Sequence, residues 1–444
     1  MSAQVIEADW TWTGERFEAG VQLVIGPSGR IDDLTRGRVP TERLEGAALL
    51  PGFITAHSHA FQRGLRGQGE HFPAGAGSFW SWREAMYGLV AQLDASALRR
   101  LCTQAFGEML DAGITAVGEF HYLHHRTDEP DYELDQVVLE AAAEAGIRIV
   151  LLNAYYATGG IGQPLAGAQC RFRSQNPQSY WRQMDRLATI LDPRTQALGA
   201  VAHSIRAASL DDIAALHAEA RRRGLVFHLH VEEQRREVEE CIAAYGKRPM
   251  QLLNDTLPID QHVTAVHCTH THPEDLARFV HAGGMVCACP LTEANLGDGL
   301  PSLAPASLVV GRLCLGTDSN ARISLLEEMR WLEYGQRLRT ESRGVLRDGA
   351  GRFAPTVLRA ATEGGARALG LPAGRLAAGH WADLVAIDLG HPSLAACSVE
   401  HLPEALVCGA GDDVIRGTYV GGRWRERGGA RSVARAQGAA ARAP

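Results

Sequence analysis

The sequence predicts an α/β chain, a (β/α)8 TIM-like barrel carrying a small β-sandwich-like domain built from both chain ends. Three observations lead there. Through the middle of the chain, short β-branched runs alternate with amphipathic stretches that stop at glycine, the pattern of βαβ units and a parallel sheet. Counting from Phe53 gives about eight such strands, the number that closes a barrel. Both ends of the chain are instead rich in short strands, so they are expected to pair with each other. An open doubly wound sheet is the alternative. It usually brings a G-x-G-x-x-G turn after a strand or a P-loop, and the sequence has neither.

The expected elements run in order. Val5–Trp12 and Val21–Gly26 are strands divided by Gly-containing turns, and Phe53–His59 is the first barrel strand. From His59 to about Trp82 the chain is Gly-rich and reads as a long loop; Leu89–Leu110 has helical spacing. Strands follow at Gly113–Phe120, Ile147–Asn153, Leu198–Ala202, Leu225–Val231, His262–Cys268, Gly284–Cys289 and Arg312–Thr317. Between and after them, helices are expected at Leu134–Ala145, Tyr180–Leu191, Leu210–Arg223, Arg235–Tyr245, Pro273–Ala282 and Leu325–Leu338. Four of these end at Gly146, Gly224, Gly246 and Gly283, which supply C-terminal stops. Pro355–Leu369 is a further helix, and Trp381–Asp388 and Asp413–Val420 return to strand. The expected boundaries are 1–50 with 375–426 for the β domain, 51–374 for the barrel and 427–444 for a disordered tail.

Composition narrows the function. The 444 residues are 45% hydrophobic and 21% charged, as in a soluble globular protein. A net charge of −7 argues against a nucleic-acid partner held by bulk electrostatics, and no apolar run reaches the length of a membrane span. The nine cysteines have no framework spacing and read as reduced thiols of a cytoplasmic protein.

The chemistry concentrates at strand ends. On a strand, His57 and His59 share a face, so His57-Ser58-His59 places two imidazoles side by side, half of a zinc site. Two surface histidines are the plainer reading of such a pair. His228 and His230 also share parity, and parity does not choose between them. Glu233 lies just past that fifth strand, His267 ends the sixth, and Asp318 follows Gly316-Thr317 at the eighth. In a closed parallel barrel these ends meet at one mouth, where such folds place their chemistry. His270-Thr271-His272 precedes Pro273 and is expected in a loop; His121, His124 and His125 are expected in loops too, with Tyr122 near the mouth. No H-E-x-x-H helix occurs, which removes a zincin-type protease.

Pro51-Gly52-Phe53 leading into His57-x-His59, then His230 with Glu233, His267, and Asp318, resembles the amidohydrolase superfamily, in its mononuclear aminohydrolase branch. Ser78-Phe79-Trp80-Ser81-Trp82-Arg83-Glu84 and Ala202-His203-Ser204-Ile205-Arg206-Ala207 are similar to the formimidoylglutamate deiminases. The resemblance implies hydrolysis of N-formimidoyl-L-glutamate to N-formyl-L-glutamate and ammonia, in histidine degradation. It implies one divalent metal per chain, Zn2+ with Fe2+ also suited, on His57, His59, His230 and Asp318. Catalytic roles fall to Glu233, His267 and Asp318. A carboxylated lysine that bridges two metals in binuclear relatives has no counterpart, because Lys247 is the only lysine and lies after the fifth-strand helix. Gln62, Arg83, Tyr122, His203 and Arg206 match the family's substrate-binding pattern, the arginines suiting a small dianionic substrate derived from an amino acid. A homodimer, with no nucleic-acid or membrane partner, completes the expectation. The alternatives are another zinc aminohydrolase acting on a nucleobase or triazine-like ring, or a non-catalytic scaffold of the same fold.

Overall fold

The computed structural model describes residues 4–72, 75, 77–303 and 311–427. The tail expected to be disordered lies, from 428 onward, outside the described residues. The chain begins with β1 (Gln4–Trp12), β2 (Phe17–Glu18), β3 (Gln22–Ile25), β4 (Ile31–Thr35) and β5 (Glu42–Pro51). The barrel strands follow: β6 (Phe53–Ser58), β7 (Ile114–His121), β8 (Arg148–Tyr155), β9 (Gln196–Ser204), β10 (Phe227–Val231), β11 (Val263–His267), β12 (Met285–Ala288) and β13 (Leu313–Leu315). These eight lie side by side in chain order, and every neighbouring pair is parallel. They are apolar along nearly their whole length because both faces are covered, as expected of a parallel sheet under helices.

The barrel closes through a parallel bridge between Ser58 and Asp318. His59 N–H donates to Asp318 O at 2.8 Å, and Asp318 N–H donates to His57 O at 3.1 Å. Gly316 makes that approach possible. A Cβ there would lie 2.8 Å from His57 Cβ and 2.9 Å from His57 O, too close to be tolerated.

The chain ends with β14 (Leu384–Asp388), β15 (Ile415–Val420) and β16 (Arg423–Glu426). They join the first strands in one mixed sheet of order β16-β15-β14-β5-β1-β3-β4, with β2 on β1. The appendage is thus a single sheet with two apolar faces. Period-2 alternation makes it so: Ala48, Leu50, Val385 and Ile387 join the barrel's core, while Ala47, Leu49, Leu384 and Ala386 join a second, smaller core. β5 passes directly into β6 at Gly52, whose missing Cβ makes room for Thr115.

One buried ion pair ties the two parts together. Arg148, at the start of β8, donates from Nε to Asp383 Oδ2 at 2.6 Å and from Nη2 to Oδ1 at 3.0 Å. Both side chains are 3% exposed, and Trp381 lies 4.3 Å from the guanidinium.

The helix pattern departs from expectation in the first connection. The residues after His59 form a short turn over Ala60–Leu65, and a helix, α1 (Phe79–Gln92), already begins at Phe79. Ser78 caps it, with Ser81 N–H and Oγ–H both donating back to Ser78. Arg83 therefore stands on a helix, not in a loop. The continuous helix expected over Leu89–Leu110 is broken at Leu93-Asp94, because the Asp94 carboxylate accepts from Ala97 N–H at 2.7 Å and starts α2 (Ala95–Asp111). Further on, α3 (Glu133–Ala145), α4 (Pro177–Ala188), α5 (Leu210–Arg223) and α6 (Arg235–Tyr245) follow the expected spacing. Gly146, Gly224 and Gly246 end α3, α5 and α6 in left-handed conformation.

Asp383→Ala leaves the Arg148 guanidinium buried without its counter-ion. Losing one partner of a buried pair costs about 3–5 kcal/mol. Thermal unfolding followed by circular dichroism should show a clearly lowered midpoint, and an unchanged midpoint would contradict this role for the pair.

Candidate metal centre and pocket

The strand ends bring His57, His59, His230 and Asp318 to one point at the barrel mouth. The Nε2 atoms of His57 and His230 are 3.2 Å apart. Asp318 Oδ1 lies 3.4 Å from His57 Nε2 and 3.3 Å from His59 Nε2. Hydrogen bonds set the rings: His59 Nδ1–H donates to Phe120 O at 2.7 Å and His230 Nδ1–H to His203 O at 2.9 Å, which turns their Nε2 lone pairs inward. Burial, followed by repulsion between imidazoles, keeps the rings neutral. His59 is pushed down to about 3, and His57 and His230 well below their ordinary value. A tetrahedral ion with bonds of about 2.0–2.1 Å holds its ligand atoms roughly 3.3 Å apart. Three neutral imidazoles and a carboxylate at these separations fit a divalent ion.

His228, which shares parity with His230, is elsewhere. Its Nε2 hydrogen-bonds Ala368 O at 2.8 Å, deep in the barrel. His121 ends β7, while His124 and His125 lie in the loop after it as expected; all three are fully buried. Asp135 explains two of them: it accepts from His124 Nδ1 at 2.8 Å and lies 3.3 Å from His121 Nε2, with Asn153 and Gln183 donating to its other oxygen. His124 Nε2–H donates to Ala154 O at 2.7 Å, so both its nitrogens are used internally.

Beside the four-donor cluster stand His267 and Glu233. His267 Nε2 is 3.8 Å from both Glu233 Oε1 and Asp318 Oδ2, and buried without a hydrogen-bond partner. Its Nδ1 is 3.4 Å from Glu293 Oε1. Burial opposes the charge on His267, but Glu233, Glu293 and Asp318 outweigh it and raise the imidazole to about 10. Glu233 Oε2 accepts from Arg206 Nη2 at 2.8 Å. Behind Arg206 sits the buried Glu237, its Oε2 3.2 Å from Arg206 Nε. Arg206 is thereby held by two carboxylates, and its affinity for the proton rises despite its burial.

A cleft of about 600 Å3, counting its open mouth, rises from this floor. His59, His230, Glu233 and Asp318 form its base; Gln62, Arg83, Tyr122, His203 and Arg206 are on its walls. Gln62 Nε2–H donates to Tyr122 Oη at 2.8 Å, leaving its own Oε1 unpartnered. His203 Nδ1 is 3.1 Å from Ser204 Oγ. Arg83 has no carboxylate partner among the described residues, and its buried Nε has no acceptor. The salt bridge to Glu84 that a surface arginine would make is absent there.

Sequence reasoning missed Glu237 and Glu293. Each lies in the first turn of a helix directly after a barrel strand, and that position was the available signal. Backbone strain marks the same region: Glu232, His267, Cys268, Asp318 and Asn320 all have positive φ.

Comparison with known proteins agrees with this geometry. The family model described as "Amidohydrolase family" matches residues 48–425. A formimidoylglutamate deiminase of Pseudomonas aeruginosa is 40% identical over 93% of this chain and 91% of its own. A 5-methylthioadenosine/S-adenosylhomocysteine deaminase of Natronomonas pharaonis is 30% identical over 85% and 81%. The crystal structure of an amidohydrolase from Brucella melitensis superposes with a TM-score of 0.87 at 31% identity, covering 98% of each chain. Fold, mouth geometry and these similarities converge, and the chain belongs to the amidohydrolase family of metal-dependent hydrolases.

Proposed function

We propose that the chain hydrolyses N-formimidoyl-L-glutamate to N-formyl-L-glutamate and ammonia, with one divalent ion per chain, Zn2+ before Fe2+. The observation that carries it is an unpaired arginine, Arg83, on the wall of a pocket whose floor is a four-donor metal cluster. The 40% identical relative that bears the name formimidoylglutamate deiminase supports the choice of substrate. A neutral ring would leave Arg83 without a counter-ion, which weighs against a nucleobase or triazine. Cytoplasmic location and a homodimer belong to the same proposal; the nine cysteines are all free, and among the described residues no helix is long and apolar enough to cross a membrane.

His57, His59, His230 and Asp318 would hold the ion. Bound there, it supplies Lewis acidity that brings water into its nucleophilic form near neutral pH. Asp318 accepts the proton that the attacking water gives up; its Oδ2 faces His267 at 3.8 Å. His267 carries a proton on Nε2 toward the same space and stabilises negative charge that develops on the reacting oxygen. Glu233 hands a proton to the amidine nitrogen, which leaves as ammonia once its bond to carbon breaks. Arg206 fixes one Glu233 oxygen and so aims the other at the reacting centre. Arg83 takes a substrate carboxylate through its free N–H edge, Arg206 faces the second, and Gln62, Tyr122 and His203 supply further hydrogen bonds.

Elemental analysis of the purified protein should find about one divalent metal per chain, with metal and ammonia release both lost in His57→Ala and Asp318→Ala. Two metals, both needed for turnover, would overturn the mononuclear arrangement.

Glu233→Gln should retain fold and metal and lower kcat by about 10²–10⁴-fold, the usual contribution of a general acid–base group. Turnover near wild type would pass the proton role to another residue.

In an ammonia-release panel, formimidoylglutamate should far exceed guanine, cytosine and adenosine. Arg83→Met should raise KM for the dianion with kcat largely kept, whereas Arg206→Met should lower kcat as well. A neutral nucleobase as the better substrate would remove the deiminase assignment and leave a metal aminohydrolase.

A further inference from the structure

Arg83 poses a physical problem. It is a half-buried cation with no carboxylate partner among the described residues, yet it must keep one orientation to recognise an anion. What it does have is aromatic rings. Its guanidinium carbon lies 4.4 Å from the centroid of Trp80 and 5.6 Å from that of Tyr87. Tyr87 is itself fixed, since its hydroxyl accepts from Gln169 Nε2 at 2.9 Å. Trp80 also carries a second guanidinium, that of Arg236 on α6, again at 4.4 Å. The two arginines differ. Arg236 is exposed and donates from Nε to Glu240 Oε1 at 2.6 Å, so its charge is already balanced.

A carboxylate partner would orient Arg83 by occupying its in-plane N–H groups. An aromatic face orients the same group from above and leaves that edge free. Salt-bridging would therefore compete with substrate, and stacking does not. The Arg236 contact adds a mechanical link. α6 starts two residues after Glu233, so the indole joins the wall that carries Arg83 to the segment that carries the proton donor.

We propose that Trp80 is a positioning residue for Arg83, holding the guanidinium by a cation–π contact so that its N–H edge stays open to a carboxylate of the ligand. This rests on the reading of the pocket as a carboxylate site. Trp80 acts through Arg83 and touches no reacting atom.

The test is a double-mutant cycle on binding, read by calorimetry with N-formyl-L-glutamate, a dicarboxylate that needs no turnover. Trp80→Leu should weaken binding roughly tenfold, the scale of one partly desolvated cation–π contact. Trp80→Phe, which keeps an aromatic face, should recover most of it. In an Arg83→Met background, Trp80→Leu should have no further effect. In turnover, Trp80→Leu should raise KM and leave kcat nearly unchanged. Wild-type binding by Trp80→Leu, effects of the two substitutions that multiply, or no dicarboxylate binding by the wild type would each overturn the inference. If coupling between Trp80 and Arg83 is found but formimidoylglutamate is not deiminated, the substrate assignment falls and the positioning role stands.

Discussion

The site depends on how the barrel closes. β6 and the segment after β13 are far apart in sequence, and the short seam between them fixes the distance from Asp318 to His57 and His59. Two backbone hydrogen bonds and the absence of a side chain at Gly316 hold that seam together. Asp318 adopts a φ of +43°, a strained conformation that the surrounding hydrogen bonds maintain. A metal site whose donors come from strand ends can thus be arranged before any ion arrives, since the sheet has already paid the ordering cost.

Charge is distributed in the pocket with a clear division of labour. Glu233, Glu293 and Asp318 surround His267 and raise its affinity for a proton. Arg206 and Glu237 lie behind Glu233, and burial lifts Glu237 to about 7 even with Arg206 beside it. Arg83 is instead stacked on aromatic rings and has no carboxylate partner among the described residues. Under the proposed function, the groups assigned to proton transfer and Arg206 therefore sit within a network of counter-ions, whereas Arg83 stays outside it. In a chain of net charge −7, the proposed dianionic substrate would need such a locally positive position.

Much of this was legible in the sequence, for identifiable reasons. Strand parity puts His57 and His59 on one face, and glycine stops delimit most helices, so the barrel rhythm and the order of the site residues could be read directly. Parity does not separate His228 from His230; only the contact of His228 with Ala368, 140 residues away in sequence, does so. The Gly-rich stretch after His59 masked the start of α1, whose cap depends on two serines three residues apart. The unbroken apolar spacing across Leu93-Asp94 concealed a helix boundary that one carboxylate decides. His124 lies in a loop as expected, but its burial against Asp135 on the following helix leaves no mark in the spacing. These features share a cause: each is settled by side-chain hydrogen bonds, which periodicity does not encode. Glu237 and Glu293 were missed because their partners are supplied by tertiary packing.

In the proposed site, three imidazole nitrogens and the Asp318 carboxylate surround a single ion. X-ray absorption at the metal edge of the purified protein reads that shell directly. Only nitrogen and oxygen neighbours are expected, at about 2.0–2.2 Å, with imidazole scattering and no second metal. The neighbouring group of His267, Cys289 and Glu293 offers a different donor set whose atoms also lie within 4.8 Å of one another. A sulfur neighbour at about 2.3 Å would place the ion there and rule out the site on His57, His59, His230 and Asp318.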